Sequence, residues 1–255
     1  KRPYTLDYIS EITEDFVELH GDRLSRDDAA IVAGLASVDG YKLMIIGHQK
    51  GRDIESNIFR NFGMASPEGY RKALRLMRMA ERFKLPILTF IDTSGAYPGI
   101  EAEEKGQSEA IAKNLAEMFG IKVPIVAVVI GEGGSGGALG IGVADSILML
   151  ENSVYSVISP EGCATILFND SKKAPDAARS LKIDSISLKS FGIIDGIVKE
   201  PLGGAHRDLK QASINLKTAV LKEFKKIDKF EIENLLEKRY NKYRKIGEFF
   251  EKEGE

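Results

Sequence analysis

The stretch GEGGSGGALGIGVAD, residues 131–145, places seven glycines directly after the apolar run PIVAVVI at residues 124–130. An unbroken apolar run of this kind is typical of a parallel strand that is covered on both faces. Each glycine inside a helix costs about 1 kcal/mol relative to alanine, so a glycine-rich helix needs a compensating reason. We therefore expect other parts of the chain to approach this glycine segment closely.

Composition and charge exclude several classes of protein. The chain has 255 residues, 43% of them apolar, which is enough for a large α/β core. Its net charge of −2 provides no positive field, so nucleic acid is not an expected partner. No apolar run approaches the roughly 20 residues of a membrane span. The single cysteine, Cys163, excludes a Cys-rich zinc module, so we expect no metal on this chain and a cytoplasmic location.

Short apolar runs alternate with helical patterns along the chain, as is typical of an α/β protein. Asp39 and Gly40 separate two strand-like runs and predict a hairpin. Pro67 suits the start of a helix. Further elements are expected as a strand at 86–92, a helix from about 102 to 119, strands at 146–152 and 154–159, a helix opened by Ser159, a core unit at 190–198 and two C-terminal helices. The sequence thus predicts one domain over residues 1–255, with a helical extension over about 206–255.

The C-terminal region carries a basic stripe at helical spacing. Lys238, Arg239 and Lys242 are interspersed with Tyr240 and Tyr243. Such a stripe with two tyrosines is compatible with RNA contact. The more common arrangement is the solvated side of an amphipathic helix that packs on its own domain or on a partner, and we favour that interpretation.

The glycine segment contains two motifs of other enzyme classes. Gly131, Gly133 and Gly136 spell GxGxxG, a dinucleotide-binding motif, with Glu151 twenty residues after the first glycine. That motif needs only the first turn of the helix, so it leaves the later glycines unexplained.

Residues 133–137 also spell GxSxG, which would make Ser135 the nucleophile of a hydrolase. His206 is the only histidine after Ser135, and an acid such as Asp195 lies between them. The order of these residues permits a triad, and nothing else in the sequence supports one.

A third interpretation uses the main chain. Successive N–H groups at residues without a Cβ form a site for negative charge that a bulky substrate can reach. If the amides of Gly133 and Gly134 point at an oxygen that becomes an oxyanion, they stabilise charge where it develops. This interpretation accounts for more of the glycines than the other two.

Four stretches carry a resemblance to a known family: RNFGMASPEGYRKALRLM (60–77), DTSGAYPGIEAEEKGQ (92–107), the glycine segment and VYSVISPEG (154–162). They resemble the crotonase superfamily and, within it, the α subunits of bacterial acetyl-coenzyme A carboxylase carboxyltransferase. The similarity covers nearly all of the chain. It implies a ClpP/crotonase-like α/β fold, a spiral of ββα units with C-terminal helices. It also implies a further helical segment ahead of Lys1.

The resemblance also implies an activity and partners. A carboxyl group would pass from biotin, carried covalently by the biotin carboxyl carrier protein, to acetyl-coenzyme A, giving malonyl-coenzyme A for fatty acid synthesis. A β subunit would supply a zinc ribbon and the acetyl-coenzyme A side in an α2β2 assembly, and biotin carboxylase would complete the ATP-dependent complex. By resemblance, the amides of Gly133 and Gly134 are the catalytic groups that stabilise the biotin enolate.

The turn at residues 95–97 and Glu161 are further candidates for functional residues, each with an alternative interpretation. Gly95, Ala96 and Tyr97 lie where superfamily members often form a wall of the site, which makes them candidate substrate-binding residues; the alternative is an ordinary strand-to-helix turn. Glu161 resembles the acid of a crotonase-type hydratase, which needs a carboxylate to move protons. We favour the alternative that Glu161 is a helix-start glutamate that interacts with the helix dipole.

Overall fold

The computed structural model describes residues 1–247, and its strands form one eight-stranded sheet. The spatial order is β1-β2-β3-β4-β5-β6-β8, and β7 pairs separately with β5. The strands are β1 (Asp15–Glu18), β2 (Ile31–Val38), β3 (Tyr41–His48), β4 (Ile87–Thr93), β5 (Ile125–Gly134), β6 (Ser146–Leu150), β7 (Val154–Ser156) and β8 (Gly196–Val198).

Helices connect and cover these strands. They are α1 (Thr5–Ile12), α2 (Ile54–Phe59), α3 (Pro67–Arg82), α4 (Ile100–Glu104), α5 (Gln107–Gly120), α6 (Ser135–Leu139), α7 (Pro160–Phe168), α8 (Ala174–Leu181), α9 (Ser185–Ser190), α10 (Leu209–Ile227) and α11 (Ile232–Arg244). Short 3-10 helices occupy Asn61–Gly63 and Ser171–Lys173. Ser159 caps α7 by accepting a hydrogen bond from the Gly162 N–H, so the predicted start of this helix is confirmed.

The sheet changes from antiparallel to parallel pairing at β3. β1, β2 and β3 are antiparallel, and β3, β4, β5, β6 and β8 pair in parallel. Asp39 and Gly40 both have positive φ, 49° and 75°, as a two-residue hairpin turn requires, so the predicted hairpin is confirmed. The parallel part needs crossover connections, and these bring α3 and α5 onto one face of the sheet.

Strand β5 is buried on both faces. Successive side chains of a strand point to opposite faces, and both sets are covered here. The set that packs with α3 and α5 is Ile125, Ala127 and Val129, and the set that packs with α1 and α10 is Val126, Val128 and Ile130. The prediction that the apolar run is a strand covered on both sides is confirmed.

Two predicted element boundaries were wrong. β5 continues to Gly134, because β7 pairs with residues 132–134 and extends the sheet there. The helix inside the glycine segment is therefore only the five-residue α6. The helix expected from about 102 to 119 is two helices, α4 and α5, because Gly106 adopts a left-handed conformation with φ 82° between them.

The basic stripe of the C-terminal helix is partly buried, and the expectation of a solvated stripe was wrong for its central residues. Arg239 is buried and donates to both carboxylate oxygens of Asp145, at 2.8 and 2.7 Å. It also donates to the carbonyl oxygens of Met118, Ile121 and Val123. Removing one partner of such a buried pair typically costs about 3–5 kcal/mol, so Arg239 fixes α11 onto the domain.

The last described helix ends at residue 244, and residues 248–255 of the predicted extension lie outside the described residues. The division into one domain with a helical extension stays a prediction. Within residues 1–247, no helix combines the length and apolar character that crossing a membrane would require.

Candidate active site

The glycine segment lies at the carboxyl end of β5, between two neighbouring strands. Gly133 pairs with Thr93 of β4 on one side and with Tyr155 of β7 on the other. The register of β4 and β5 shifts between Ile91 and Thr93, where the ladder leads into the turn at residues 94–96. Open α/β sheets bind ligands outside the carboxyl ends of their strands, so this edge is the expected place for a site.

Close backbone contacts explain the glycines at 134 and 137. A Cβ at Gly134 would overlap the carbonyl group of Ser94, and a Cβ at Gly137 would overlap the peptide that joins Gly95 to Ala96. The turn at residues 94–96 thus packs directly on the backbone of β5 and α6. The expectation that other parts of the chain approach the glycine segment closely is confirmed.

Two aromatic rings occupy the space that other side chains would fill. A Cβ at Gly133 would lie 2.6 Å from the ring of Tyr155, and one at Gly140 would lie 2.5 Å from the ring of Tyr70. Gly136 differs, because the nearest atom to its Cβ position is a methyl group of Ile111 at 3.9 Å. Most glycines of the segment therefore serve close packing, and Gly136 does not.

A cleft of about 320 Å³ opens in front of Gly133 and Gly134. We call it the glycine cleft; residues 94, 132–135, 154, 156–161 and 183 line it. Its charged lining residues in the described chain are Glu132 and Glu161, and no lysine or arginine lines it. The side-chain donors of this lining are serine hydroxyl groups, and the backbone of Gly133 and Gly134 borders the same space.

A second, apolar pocket of about 320 Å³ adjoins the glycine cleft and shares Ser135, Ser156, Val157 and Ile183 with it. Its remaining walls are mainly apolar: Leu139, Tyr155, Leu181, Leu188 and Ile193. The two cavities together present an apolar surface beside the backbone of Gly133 and Gly134 and the hydroxyl groups of several serines. This combination suits a ligand with an apolar body and one polar group.

The predicted residues Gly95, Ala96 and Tyr97 lie in the turn after β4 and are half-buried. The Tyr97 N–H donates to the Ala65 carbonyl at 3.0 Å, and Gln107 donates to the Tyr97 carbonyl at 2.9 Å. The residue of this turn that lines the glycine cleft is Ser94, which directly precedes Gly95. Gly95 and Ala96 pack against Gly137 of α6, and the contact of all three residues with substrate stays a prediction.

The dinucleotide alternative is inconsistent with the structure. Gly131 and Gly133 lie inside β5, whereas the motif needs them in the turn that opens a helix. The helix that follows has only five residues. Glu151, the acid that would bind a ribose, accepts hydrogen bonds from the Lys199 ammonium at 2.6 Å and the Glu200 N–H at 3.2 Å.

The serine-nucleophile alternative lacks its partners. Ser135 is exposed and has φ 50°, an unusual conformation for a residue with a side chain, at the strand-to-helix turn. Asp195 accepts a hydrogen bond from the Ile147 N–H at the amino end of β6. Since β5 and β6 are parallel, Asp195 and Ser135 lie at opposite edges of the sheet. The predicted order Ser135, Asp195, His206 is therefore not assembled into a triad.

Glu161 lies in the first turn of α7 and also lines the glycine cleft. Its place beside the N-terminal end of the helix agrees with the dipole interpretation. Because its carboxylate borders the cleft, the hydratase alternative stays open for this residue.

A charged cluster of Lys50, Asp92 and Glu132 lies next to the glycine cleft and was not predicted from the sequence. The Lys50 ammonium lies 2.9 Å from a carboxylate oxygen of Asp92 and 3.1 Å from one of Glu132. Burial opposes the charged form of Lys50, but the two carboxylates raise its pKa above the usual value. Each residue lies at the carboxyl end of one of three adjacent parallel strands, and that shared position is the signal that could have revealed the cluster.

His48, at the end of β3, is a second missed group. It is fully buried beside the backbones of Phe90 and Gly137, and neither ring nitrogen has a hydrogen-bond partner of ordinary geometry among the described residues. Burial, together with the nearby charge of Lys50, lowers the pKa of His48 to about 3. The ring is therefore neutral at physiological pH and serves as part of the packing under α6.

Metal binding finds no support in the described residues. Within residues 1–247, no group of three or more His, Cys, Asp or Glu side chains is arranged to hold a metal ion. Cys163, the single cysteine, is buried in a small cluster with Ala164 and Ala177.

Solved structures share the fold. The chain is similar to transcarboxylase 12S, with a TM-score of 0.69 at 17% identity, covering 100% of this chain and 43% of that one. It is also similar to a Pseudomonas malonate decarboxylase hetero-dimer, with a TM-score of 0.68 at 18% identity, covering 86% of this chain and 89% of that one. The chain spans less than half of the transcarboxylase chain. These similarities show the fold, and the predicted crotonase-like α/β architecture is confirmed.

Sequence relatives narrow the class. The family described as acetyl co-enzyme A carboxylase carboxyltransferase-like matches residues 1–247. The chain is 66% identical over 249 residues to the acetyl-coenzyme A carboxylase carboxyl transferase subunit alpha of Fusobacterium nucleatum, covering 98% of this chain and 80% of the relative. It is 60% identical over 250 residues to the subunit of the same name from Geobacter metallireducens, covering 98% and 79%. The chain belongs to this family of transferase α subunits, and the predicted resemblance is confirmed.

The packing of the glycine segment gives a first prediction. We expect Gly134→Ala to lower the free energy of unfolding by about 1–3 kcal/mol, because its methyl group would overlap the Ser94 backbone. Gly136→Ala is the matched control; it has room for a methyl group and should leave stability equal or slightly higher. Urea unfolding followed by circular dichroism measures both. Equal effects of the two substitutions would contradict the packing account.

The buried His48 gives a second prediction, about pH. Below its ordinary pKa of 6.5 the unfolded chain binds a proton at His48, whereas the folded chain does not until about pH 3. Stability should therefore fall as the pH is lowered through this window, by up to about 1.4 kcal/mol per pH unit from this residue. His48→Leu should flatten this slope, and His206→Leu, at an exposed position, should not. Chemical unfolding at several pH values tests this, and an unchanged slope in His48→Leu would refute it.

Proposed function

We propose that this chain binds the biotin side of a carboxyltransferase that moves a carboxyl group from biotin on a carrier protein to acetyl-coenzyme A, giving malonyl-coenzyme A. The observation that carries the proposal is the glycine cleft, which opens onto Gly133 and Gly134 in a chain of this family. Its size, about 320 Å³, falls within the range of about 300–1,000 Å³ for small-molecule sites.

The residues of the cleft fit the head group of biotin. A ureido ring presents a carbonyl oxygen and small polar edges on a largely apolar bicycle. Val154, Val157 and Ile158 offer apolar walls, while the main chain at Gly133 and Gly134 and the hydroxyl groups of nearby serines offer donors. Since the described lining has no cationic side chain, the polar match depends on the main chain.

Biotin, when bound, supplies the N-linked carboxyl group and collects negative charge on its ureido oxygen as that group leaves. The amides of Gly133 and Gly134 hold that oxygen and stabilise the charge without reorganising. Losing one donor of this type typically costs about 3–4 kcal/mol of barrier. The turn at residues 94–96 holds β5 and α6 in place, and Gly95, Ala96 and Tyr97, which follow the cleft-lining Ser94, are substrate-binding residues in this proposal.

The other substrate is held by a partner in this proposal. A β subunit with a zinc ribbon binds acetyl-coenzyme A and completes the active site in an α2β2 assembly. Its surface would cover two exposed apolar side chains of α7, Ile166 and Leu167, on the helix whose first residues line the cleft. The biotin carboxyl carrier protein delivers biotin, and biotin carboxylase recharges it with ATP. The complex works in the cytoplasm and supplies fatty acid synthesis.

Reconstitution tests the proposed function. The isolated chain should form no malonyl-coenzyme A, because it provides only one half of the site. Adding the zinc-ribbon β subunit and carboxylated carrier protein should give malonyl-coenzyme A, measured by chromatography of the thioesters. Efficient hydration of an enoyl thioester by the isolated chain would instead support the hydratase alternative.

Two variants serve as controls for the alternatives. In the reconstituted complex, Ser135→Ala and Glu161→Gln should each reduce kcat by less than about tenfold. Loss of a serine nucleophile costs roughly a millionfold, and loss of a general acid–base about a hundredfold to ten-thousandfold. A loss of that size in either variant would show that the main-chain mechanism is incomplete.

A further inference from the structure

The cluster of Lys50, Asp92 and Glu132 borders the glycine cleft without forming its donor pair. Asp92 is almost fully buried, with a side chain 3% exposed, and Lys50 is 19% exposed. Glu132 is 45% exposed and lines the cleft. The ammonium of Lys50 thus bridges a buried carboxylate and one that faces the ligand space.

The buried carboxylate also holds the main chain just before the glycine pair. An oxygen of Asp92 accepts a hydrogen bond from the Glu132 N–H at 3.0 Å, and the same oxygen is the one that Lys50 contacts. A Cβ at Gly131 would lie 2.6 Å from this oxygen, so the close approach of Asp92 to β5 needs a glycine there. The Gly131–Glu132 peptide, one residue before Gly133, is therefore held by a carboxylate oxygen that also accepts from Lys50.

The stem of Lys50 is held in place by its surroundings. Gly63, in the 3-10 helix at Asn61–Gly63, has positive φ and packs against Lys50; a Cβ there would lie 2.7 Å from the Lys50 Cγ. The ammonium lies within ion-pair distance of both carboxylates. Since Lys50 carries the cluster's one positive charge, its loss would leave two negative groups beside a site where negative charge must develop.

We propose that Lys50 is a positioning residue that acts through Asp92: it holds the buried carboxylate in place under the Glu132 N–H, so that Gly133 and Gly134, which follow, keep their position at the cleft. This inference rests on the proposed function of those amides. Lys50 itself lies outside the cleft lining and does not touch the substrate.

The experiment compares Lys50→Met, Asp92→Asn and the double variant in the complex with the β subunit. The assay uses biocytin as the probe: the carboxyl group of malonyl-coenzyme A moves to the ureido nitrogen of biocytin, and the proton displaced from that nitrogen goes to the α-carbon, which gives acetyl-coenzyme A. Lys222→Met is the matched control, an exposed lysine of α10 that forms no ion pair among the described residues. Melting temperatures of all variants identify any that fail to fold.

We expect Lys50→Met to lower kcat by roughly tenfold to a hundredfold, because a small misplacement of catalytic groups has effects of that size. The KM for malonyl-coenzyme A should stay unchanged, since the partner holds that substrate. Asp92→Asn should lose less, because its amide oxygen still accepts from the Glu132 N–H. The double variant should recover activity relative to Lys50→Met, since it removes the uncompensated buried charge.

Three results would overturn the inference. Lys50→Met with the activity of Lys222→Met would show that Lys50 has no role. A double variant with the product of the two single losses would show that Lys50 does not act through Asp92. A rise in the KM for biocytin with unchanged kcat in Lys50→Met would show that Lys50 has a binding role instead. If the wild-type complex transfers no carboxyl group to biocytin, the proposed function fails, which is a separate outcome.

Discussion

The close contact between the turn at residues 94–96 and the backbone of β5 and α6 is the constraint on which the site depends. Gly134 and Gly137 have no Cβ because the main chain of that turn occupies the space. The contact holds the end of β5 against β4 and α6 against the turn. It leaves the cleft side of Gly133 and Gly134 open, so one packing requirement sets both the fold and the candidate chemistry.

The charged groups around the cleft are consistent with the proposed role of the main chain as the source of donors. The lining in the described chain has two carboxylates and no cationic side chain, and Lys50 lies behind Glu132 with its ammonium already paired. His48, neutral and buried beside Gly137, adds no charge. A site built in this way stabilises charge that develops on one oxygen more than charge carried throughout a ligand.

Much of the fold followed from sequence patterns, because those patterns reflect local physics. The Asp39–Gly40 turn, the Pro67 helix start and the apolar strand β5 each carry their own signal. The sequence did not reveal that β5 extends into the glycines. That extension depends on pairing with β7, a contact between separate segments that no local sequence pattern reports. The sequence also did not reveal Arg239 as a buried group, because the spacing of charged residues on a helix does not show which face packs against the domain. The Lys50 cluster was also missed, because its three residues come together only when three strands lie side by side in the sheet.

The central claim is that the amides of Gly133 and Gly134 hold the ureido oxygen of biotin. The most direct measurement is a titration of the 15N-labelled chain with biocytin, followed by amide chemical shifts. The account predicts downfield proton shifts at Gly133 and Gly134 that saturate together, with smaller changes at Gly136. Saturating shifts confined to other residues, with both glycine amides unchanged, would contradict it.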